Sequence, residues 1–321
     1  MQSLIMDDDA VIAQSSSVVG GKAATLARLR LAGIAVPEFA VATGAAFLLH
    51  LHSNAISIAG LLSDDISSAR LASITDKIRG ASLPDTVDAA IQSTYQGWNS
   101  PTGMPRVVAV RSSAVGEDGA EASFAGQFES FLGVRGVGPL LQRVKDCWAA
   151  YFNDRSATYR AARTGLAETT AMMGAIIQRQ IFAAKAGVLF TQHPVTRDTS
   201  LIYIEANFGT GESVVGGLVT PDAVTVSRAP LVVTDINIGL KSVMSTVSPT
   251  APQSRVVSTP QELSNKPVLT EHQALAIAEI GLHVEQLLGG PQDIEWAIES
   301  DRIWILQARP VTQARAAGRA N

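Results

Sequence analysis

The sequence predicts a mixed α/β protein built as one large or two coupled domains. Apolar runs and turn-forming residues alternate along the whole chain instead of segregating into a helical half and a stranded half. A helical stripe such as Leu140, Leu141, Val144, Trp148, Tyr151 and Phe152 sits among short apolar runs such as Val107 to Val110. The 321 residues, 46% of them hydrophobic, can bury about three quarters of their unfolded surface, so a core without covalent staples is expected.

Composition narrows the function classes. The single cysteine, Cys147, excludes an intrachain disulfide and a multi-thiolate metal site, and fits a reducing, cytosolic setting. A net charge of −4 argues against binding a phosphate backbone. Asp7, Asp8 and Asp9 stand where a secretory signal carries positive charge, and no apolar run reaches the 18 or so residues of a membrane span. The expected location is cytoplasmic, with neither nucleic acid nor membrane as a partner.

The elements follow in order. Gly20 and Gly21 open a helix carrying Lys22, with Ala23, Leu26, Ala27 and Arg30 at helical spacing, and Gly33 with Pro37 ends it. Ser53 to Trp98 is polar, Ser-rich and moderately helical, and reads as scaffold. Val107 to Val110 form a strand that ends at Arg111-Ser112-Ser113, followed by a small-residue loop through Gly126 suited to a lid. The stripe from Leu140 marks an amphipathic helix reaching Gly165, with Cys147 beside it in the core. Ala175 to Ile181, Gly187 to Phe190 and Leu201 to Glu205 read as strands before the glycine-rich Asn207 to Gly217. Ser242 to Leu269 is a loop or weak hairpin excursion. Thr270 with Gln273 forms a capping box for a helix whose Ile277, Gly281, Val284 and Leu288 share a face, and Gly289-Gly290-Pro291 stops it. A hairpin from Asp293 to Pro310 closes the fold, and the tail from Val311 is frayed or a linker stub.

The hairpin's register decides which of its polar residues meet. A two-residue loop at Ser300-Asp301 mixes polar and apolar residues on each face. A three-residue loop through Arg302 pairs Glu295 with Gln307 and Asp293 with Arg309, and collects Ile294, Trp296, Ile298, Trp304 and Leu306 on the other face. Because a one-residue slip flips every side chain, the segregated register is expected. A carboxylate beside an amide suits Mg²⁺, which takes few protein ligands and completes its shell with phosphate and water; an edge hairpin with a solvated polar face shows the same spacing. Gly20-Gly21-Lys22 offers backbone N–H groups and a point charge to phosphate, or is simply a glycine turn before a helix. It is not a Walker loop, since Ser16 and Ala23 occupy positions that motif reserves for Gly and for Ser or Thr. Arg111, at a strand end beside a Gly/Ser loop, is a ligand contact or the partner of a structural carboxylate. No histidines pair at metal-ligand spacing: His50 and His52 are two apart on a helix and do not share a face.

Taken together, the motifs resemble a known family. They run in order as Gly20-Gly21-Lys22-Ala23-Ala24-Thr25-Leu26, Gly33-Ile34-Ala35-Val36-Pro37 and Val110-Arg111-Ser112-Ser113-Ala114, through Ser123-Phe124-Ala125-Gly126-Gln127. Gly187-Val188-Leu189-Phe190-Thr191, Glu205-Ala206-Asn207-Phe208-Gly209 with Gly211-Glu212, and Val219-Thr220-Pro221-Asp222 follow. Pro291-Gln292-Asp293-Ile294-Glu295-Trp296 and Leu306-Gln307-Ala308-Arg309-Pro310 complete the set. It is similar to the ATP-grasp nucleotide-binding domain of the phosphoenolpyruvate synthase, pyruvate phosphate dikinase and rifampin phosphotransferase family, over about Gly20 to Pro310.

The resemblance implies an α/β (α+β) ATP-grasp fold in which two lobes clamp Mg·ATP. The implied N-terminal lobe is residues 1–183, with the Arg-Ser-Ser lid loop and a helical part. The implied C-terminal lobe is 184–313, and 314–321 is a tail or linker stub. It implies that Lys22 and Arg111 hold phosphates, that Gly126 and Ser130 cover them, and that Gln178 lies near the adenine with main-chain groups of Gln180 and Ile181. Glu295 and Gln307 would hold Mg²⁺ and Arg309 a terminal phosphate. The implied activity is donation of a β-phosphoryl or pyrophosphoryl group to a histidine on a separate domain or chain, with release of AMP. Onward transfer would go to a small-molecule acceptor of pyruvate, antibiotic or metabolite type.

The phosphohistidine and acceptor domains of full-length relatives are absent here. None of this chain's histidines, His193 included, stands in the carrier's sequence context. Either the chain is part of a longer enzyme divided at the linker after Thr312, or it is a single-domain subunit served by a histidine-bearing partner in trans. The rival readings are a stand-alone ATP-dependent small-molecule kinase or ligase, and a nucleotide-sensing binding module.

Overall fold

In the computed structural model, which describes residues 3–12, 14, 16–58, 67–98, 105–114, 130–152, 173–251 and 253–311, two antiparallel sheets flank a cleft. The first sheet comprises β1 (Ile5–Asp7), β2 (Phe39–Ala42), β3 (Val107–Ala114), β4 (Ser130–Arg135) and β5 (Met173–Arg179), in the order β1-β2-β5-β3-β4. Four helices pack on it: α4 (Gly44–Ser53), α5 (Ser68–Gly80), α6 (Asp85–Gly97) and α7 (Val137–Ala150). Val87, Ile91 and Tyr95 recur every four residues along α6 and are all buried, while Asp85 and Asp88 sit in its first turn, where the helix dipole favours negative charge. Phe47 of α4 stacks on Trp148 of α7 at 5.3 Å between ring centroids, a pairing that contributes about 0.5–1.5 kcal/mol beyond area burial. Cys147 is fully buried in this core, as expected.

The second sheet runs in the order β13-β12-β6-β7-β8-β9. Its strands are β6 (Lys185–Phe190), β7 (Leu201–Phe208), β8 (Asp222–Arg228), β9 (Leu231–Asn237), β12 (Gln292–Glu299) and β13 (Arg302–Pro310). Between them lie α8 (Glu212–Val215), the hairpin β10 (Val243–Thr246) with β11 (Arg255–Ser258), α9 (Gln261–Ser264) and α10 (Glu271–Leu288). The predicted capping box at Thr270 and Gln273 forms, with both hydrogen bonds at 3.2 Å, and Gly289 in the left-handed region ends α10. The core beneath this sheet also takes in N-terminal segments: α1 (Asp8–Ile12), α2 (Ser16–Val19) and α3 (Gly21–Leu31). Val19, Leu26 and Leu29 join Leu189, Ile294 and Trp296 there, and Ile305 N–H donates to Ala35 C=O at 2.9 Å. Among the described residues no helix is long and apolar enough to cross a membrane.

Three expectations need correction. The strand holding Arg111 does not stop there, because Ser112, Ser113 and Ala114 pair with Ala175, Gly174 and Met173 of β5, so Arg111 lies mid-strand. The C-terminal hairpin has a two-residue turn, Ser300-Asp301, with both residues at positive φ, as a tight hairpin turn requires. Glu295 still meets Gln307, because a bulge between Trp296 and Glu295 leaves Leu306 without an opposite partner and shifts the register by one. For the same reason Trp304 and Leu306 do not join Ile294, Trp296 and Ile298; they pack with Ile181, Ala186 and Ala297 on the opposite face. The strand pair β8–β9 carries no sequence signal used above. The helix predicted to reach Gly165 is described as α7 to Ala150, and the residues from 153 to 172 and the lid loop of residues 115–129, with Gly126, lie outside the described residues.

Candidate functional site

Between the sheets lies a cavity of about 240 Å³. Ala109 and Arg111 of β3, Ser130 and Leu132 of β4, and Gln178 of β5 form one wall. Ala186 and Gly187 of β6 with Glu295 and Ala297 of β12 form the other, and Ile181 and Ala183 close the end where the chain crosses between sheets.

Register explains why the polar groups gather. Across β7, β6, β12 and β13 the residues Glu205, Val188, Glu295 and Gln307 form one row of Cα partners and so share the cleft face. Two positions along, Asp293 lies opposite Arg309, whose Nε and Nη2 both donate to Asp293 Oδ2, at 2.9 and 2.6 Å. Burial raises the Asp293 carboxyl above its usual range; Arg309 opposes the shift and Glu295 adds to it. Burial likewise raises Glu205, helped by the charge of Asp293.

Facing this row from the first sheet is Arg111, 7% exposed, whose Nη1 donates to Glu295 Oε2 at 3.1 Å across the cleft. Its Nε is buried without a partner, as are Ser112 Oγ and Gln178 Nε2. Buried donors without acceptors cost about 1–3 kcal/mol each; Arg111 and Gln178 line the cleft and mark a place built to meet acceptor groups, whereas Ser112, next along the strand, lies on the opposite face with Val110 and Ala114. Lys22 stands in the first turn of α3, whose start packs on β3. Gly20, at φ +86°, lies so close to β3 that a Cβ would sit 2.1 Å from the Ser113 carbonyl oxygen. Ala23 N–H at the start of the helix donates to Ser113 Oγ at 3.1 Å, which sets the helix start, with buried Lys22, against the strand residue two positions from Arg111.

At the crossing between sheets, Gln180 is buried and its side chain is committed. Its Oε1 accepts from Gly133 N–H at 3.0 Å and its Nε2 donates to Ile181 C=O at 2.8 Å. Gln180 N–H donates to Val107 C=O at 3.1 Å. The Gln180 carbonyl and Ile181 N–H, which point in opposite directions from one trans peptide, take no partner among the described residues.

The structure therefore gathers Arg111, Ser130, Gln178, Gln180, Ile181 and Glu295 around one cavity and sets Gln307 opposite Glu295, while Lys22 and Arg309 are not among the residues that line it: Arg309 lies opposite Asp293 and Lys22 at the start of α3. Among the lining residues to which the reading from sequence gave no role are Glu212 and Thr210. Gly211-Glu212 was visible as one of the motifs that carry the resemblance, with no role attached to it, and nothing local shows that the distant Ser245 and Ser254 turn their hydroxyls to that carboxylate. Among the described residues no three His, Cys, Asp or Glu side chains are grouped to hold a metal alone. A carboxylate beside an amide oxygen fits a hard cation that takes the rest of its shell from phosphate and water.

Comparison with known proteins bears on these residues. The family profile described as pyruvate phosphate dikinase, AMP/ATP-binding domain, matches residues 16–321. A probable phosphoenolpyruvate synthase of Methanothermobacter thermautotrophicus is 35% identical over 304 residues, covering 92% of this chain and 44% of its own length. A rifampicin phosphotransferase of a Streptomyces species is 35% identical over 319 residues, covering 96% of this chain and 36% of its own. The phosphoenolpyruvate synthase of Pyrococcus furiosus is 37% identical over 243 residues, covering 73% and 30%. The chain thus spans less than half the length of these relatives.

Proposed function

Since the chain belongs to the family of the pyruvate phosphate dikinase AMP/ATP-binding domain, with its ATP-grasp-like nucleotide-binding fold, we propose that it is the nucleotide-binding half of a dikinase-type phosphotransferase. It binds Mg·ATP between lobes 1–183 and 184–313. It donates a β-phosphoryl or pyrophosphoryl group to a histidine on a separate domain or chain, and AMP leaves. The final acceptor is a small molecule, as it is by name in the rifampicin phosphotransferase relative.

The observation that carries this reading is the Arg111–Glu295 pair across the cleft, with Gln307 beside Glu295 and unsatisfied donors around Arg111. In a nucleotide complex the Arg111 guanidinium and the Lys22 ammonium face the phosphates, and Arg309, oriented by Asp293, takes the terminal one. Ser130 and the segment containing Gly126 cover them. The adenine lies toward Gln178, with main-chain groups of Gln180 and Ile181 beside it, the Gln180 carbonyl being the acceptor open to its amino group. Glu295 and Gln307 hold Mg²⁺, which supplies charge neutralisation for the β- and γ-phosphates. Attack is in line: a histidine nitrogen bonds to the β-phosphorus as its bond to the oxygen bridging to the α-phosphate breaks, which gives AMP and a histidine carrying the β- and γ-phosphates; for a β-phosphoryl product, water then displaces the γ-phosphate as inorganic phosphate. Fixed cations stabilise the charge developing on the transferring group.

Incubating the chain with Mg·ATP, alone and with a separate phosphohistidine-domain protein, and resolving AMP, ADP and phosphate, tests the reading. AMP formed only with the histidine domain is the expected result. ADP or AMP from the chain with only a small acceptor would replace it by a stand-alone kinase or ligase, and binding without product by a nucleotide sensor.

A further inference from the structure

Among the described residues, Glu212 is the one cavity-lining carboxylate that the phosphate chemistry above leaves unused, and two side-chain hydroxyls hold it. Ser245 Oγ donates to Glu212 Oε2 at 2.7 Å, and Ser254 Oγ donates to the same oxygen. Oε1 takes no hydrogen bond among the described residues. The serines come from β10 and the segment before β11, so this hairpin excursion returns to the cleft. Its seat there is fixed by the backbone: Thr210 N–H donates to Ser245 C=O at 2.7 Å, and a Cβ on Gly209 (φ +77°) would stand 2.0 Å from that same oxygen. Buried Asn207 completes the frame, donating through Nδ2 to Ser213 Oγ and to Val243 C=O, each at 2.9 Å. One carboxylate oxygen is thus saturated by dedicated donors, and the other is offered to whatever fills the cavity.

The sheet register gives its level. Gly211 lies against Ala186, since a Cβ added to it would stand 3.9 Å from the Ala186 Cβ, and Ala186 pairs with Ala297. That row is two residues, about 7 Å, from the Val188–Glu295 row, on the side toward the crossing at Ile181. Glu212 therefore stands between the base end and the phosphate end of the cleft, where a bound nucleotide has its sugar. A carboxylate oxygen is an acceptor only, and ribose hydroxyls are donors. Resting on the nucleotide reading above, we propose that Glu212 reads the ribose hydroxyls of ATP and that Ser245 and Ser254 are positioning residues. They tie up Oε2 and aim Oε1, so that the site discriminates ribonucleotides from deoxyribonucleotides.

Calorimetric titration of the full chain with ATP, 2′-deoxy-ATP and 3′-deoxy-ATP in the presence of Mg²⁺ tests this. A hydrogen bond to a charged acceptor corresponds to a preference for ATP on the order of 10- to 100-fold over at least one deoxy analogue. Glu212→Ala should weaken ATP by that factor, leave the disfavoured analogue unchanged, and so erase the ratio. Ser254→Ala should shrink the ratio and Ser254→Thr, which keeps the hydroxyl, should restore it; a purely structural role would weaken all three ligands alike. Equal affinity of the parent for ATP and both analogues would overturn the proposal without any variant having to fold, while leaving nucleotide binding intact. Failure to bind ATP at all would overturn the nucleotide reading and this inference with it.

Discussion

Replacing Lys241 by Met removes the cation of a pair shielded from solvent on both sides. The Lys241 and Asp222 side chains are 0% and 2% exposed, and the ammonium donates to Asp222 Oδ1 and to Gly239 C=O. Asp222 also accepts from Gly239 N–H at 3.0 Å and from Val268 N–H at 2.7 Å, so it ties the turn after β9 to the segment before α10. Methionine keeps the apolar length of the lysine stem, and the two backbone donors remain in the variant. What changes is that a carboxylate with no route to solvent loses its counter-ion. Breaking a buried pair in this way costs about 3–5 kcal/mol, a large share of the roughly 5–15 kcal/mol by which native domains are stable. Urea unfolding read by tryptophan fluorescence measures it, because Trp296 lies in the core of the second sheet and Trp148 in that of the first. In single-tryptophan backgrounds the unfolding free energy read at Trp296 should fall by that amount, with the value read at Trp148 following only as far as the sheets unfold together. A loss under about 1 kcal/mol, within the range of an exposed pair, would refute the reasoning: the carboxylate would then be neutralised or hydrated cheaply, and the pair would not anchor the turn.

Arg111→Ala should cut AMP formation on the order of 100-fold or more by removing fixed positive charge at the transferring group, with adenosine affinity retained; an unchanged rate would remove Arg111 from the site. Glu295→Gln should raise the Mg²⁺ concentration needed for half-maximal ATP binding, and superimposable metal titrations of variant and parent would contradict its role. His50, fully buried in α4, places Nε2 3.0 Å from the Ile78 carbonyl oxygen, and burial holds its imidazole below the usual value of about 6.5. The unfolded chain then binds the proton more readily. The stability His50 contributes is complete above about pH 6.5 and is lost as pH falls below it. The urea midpoint should therefore drop more between pH 8 and 5 in the parent than in His50→Gln, and equal drops would contradict the assignment.

Local chemistry made some of this legible in the sequence. The capping box at Thr270, the glycine stop at Gly289 and the four-residue spacing of Leu140, Val144 and Trp148 each act within one or two turns, so the letters alone carry them. Strands β2 and β8 went unread for the opposite reason. Phe39–Ala42 is buried at all four positions and shows no alternation, and Asp222–Arg228 begins on a buried aspartate whose partner lies 19 residues on. Arg111 was recognised while its strand was cut short, because Ser112 and Ser113 resemble loop residues until β5 supplies their pairing. The serines that hold Glu212 could not be found from spacing: they lie 33 and 42 residues away and meet it only through the excursion's return to the cleft.

The C-terminal hairpin shows how a wrong turn can accompany a right pairing. A tight turn at Ser300-Asp301 alone would set Glu295 opposite Leu306 and turn Gln307 toward the core. The bulge absorbs one residue and reverses the alternation partway along β13. Ile303 and Ile305 before it and Ala308 after it face the core, while Trp304, Leu306, Gln307 and Arg309 are released to the cleft side. One strand thereby supplies both an apolar patch packed with Ile181 and Ala183 and the amide that meets Glu295. A strictly alternating strand could supply only one of these without burying a guanidinium or exposing isoleucines. The bulge is therefore what lets a strand serve the core over its first half and still present the polar pair at the cleft, and its deletion should cost the Glu295–Gln307 juxtaposition before it costs the fold.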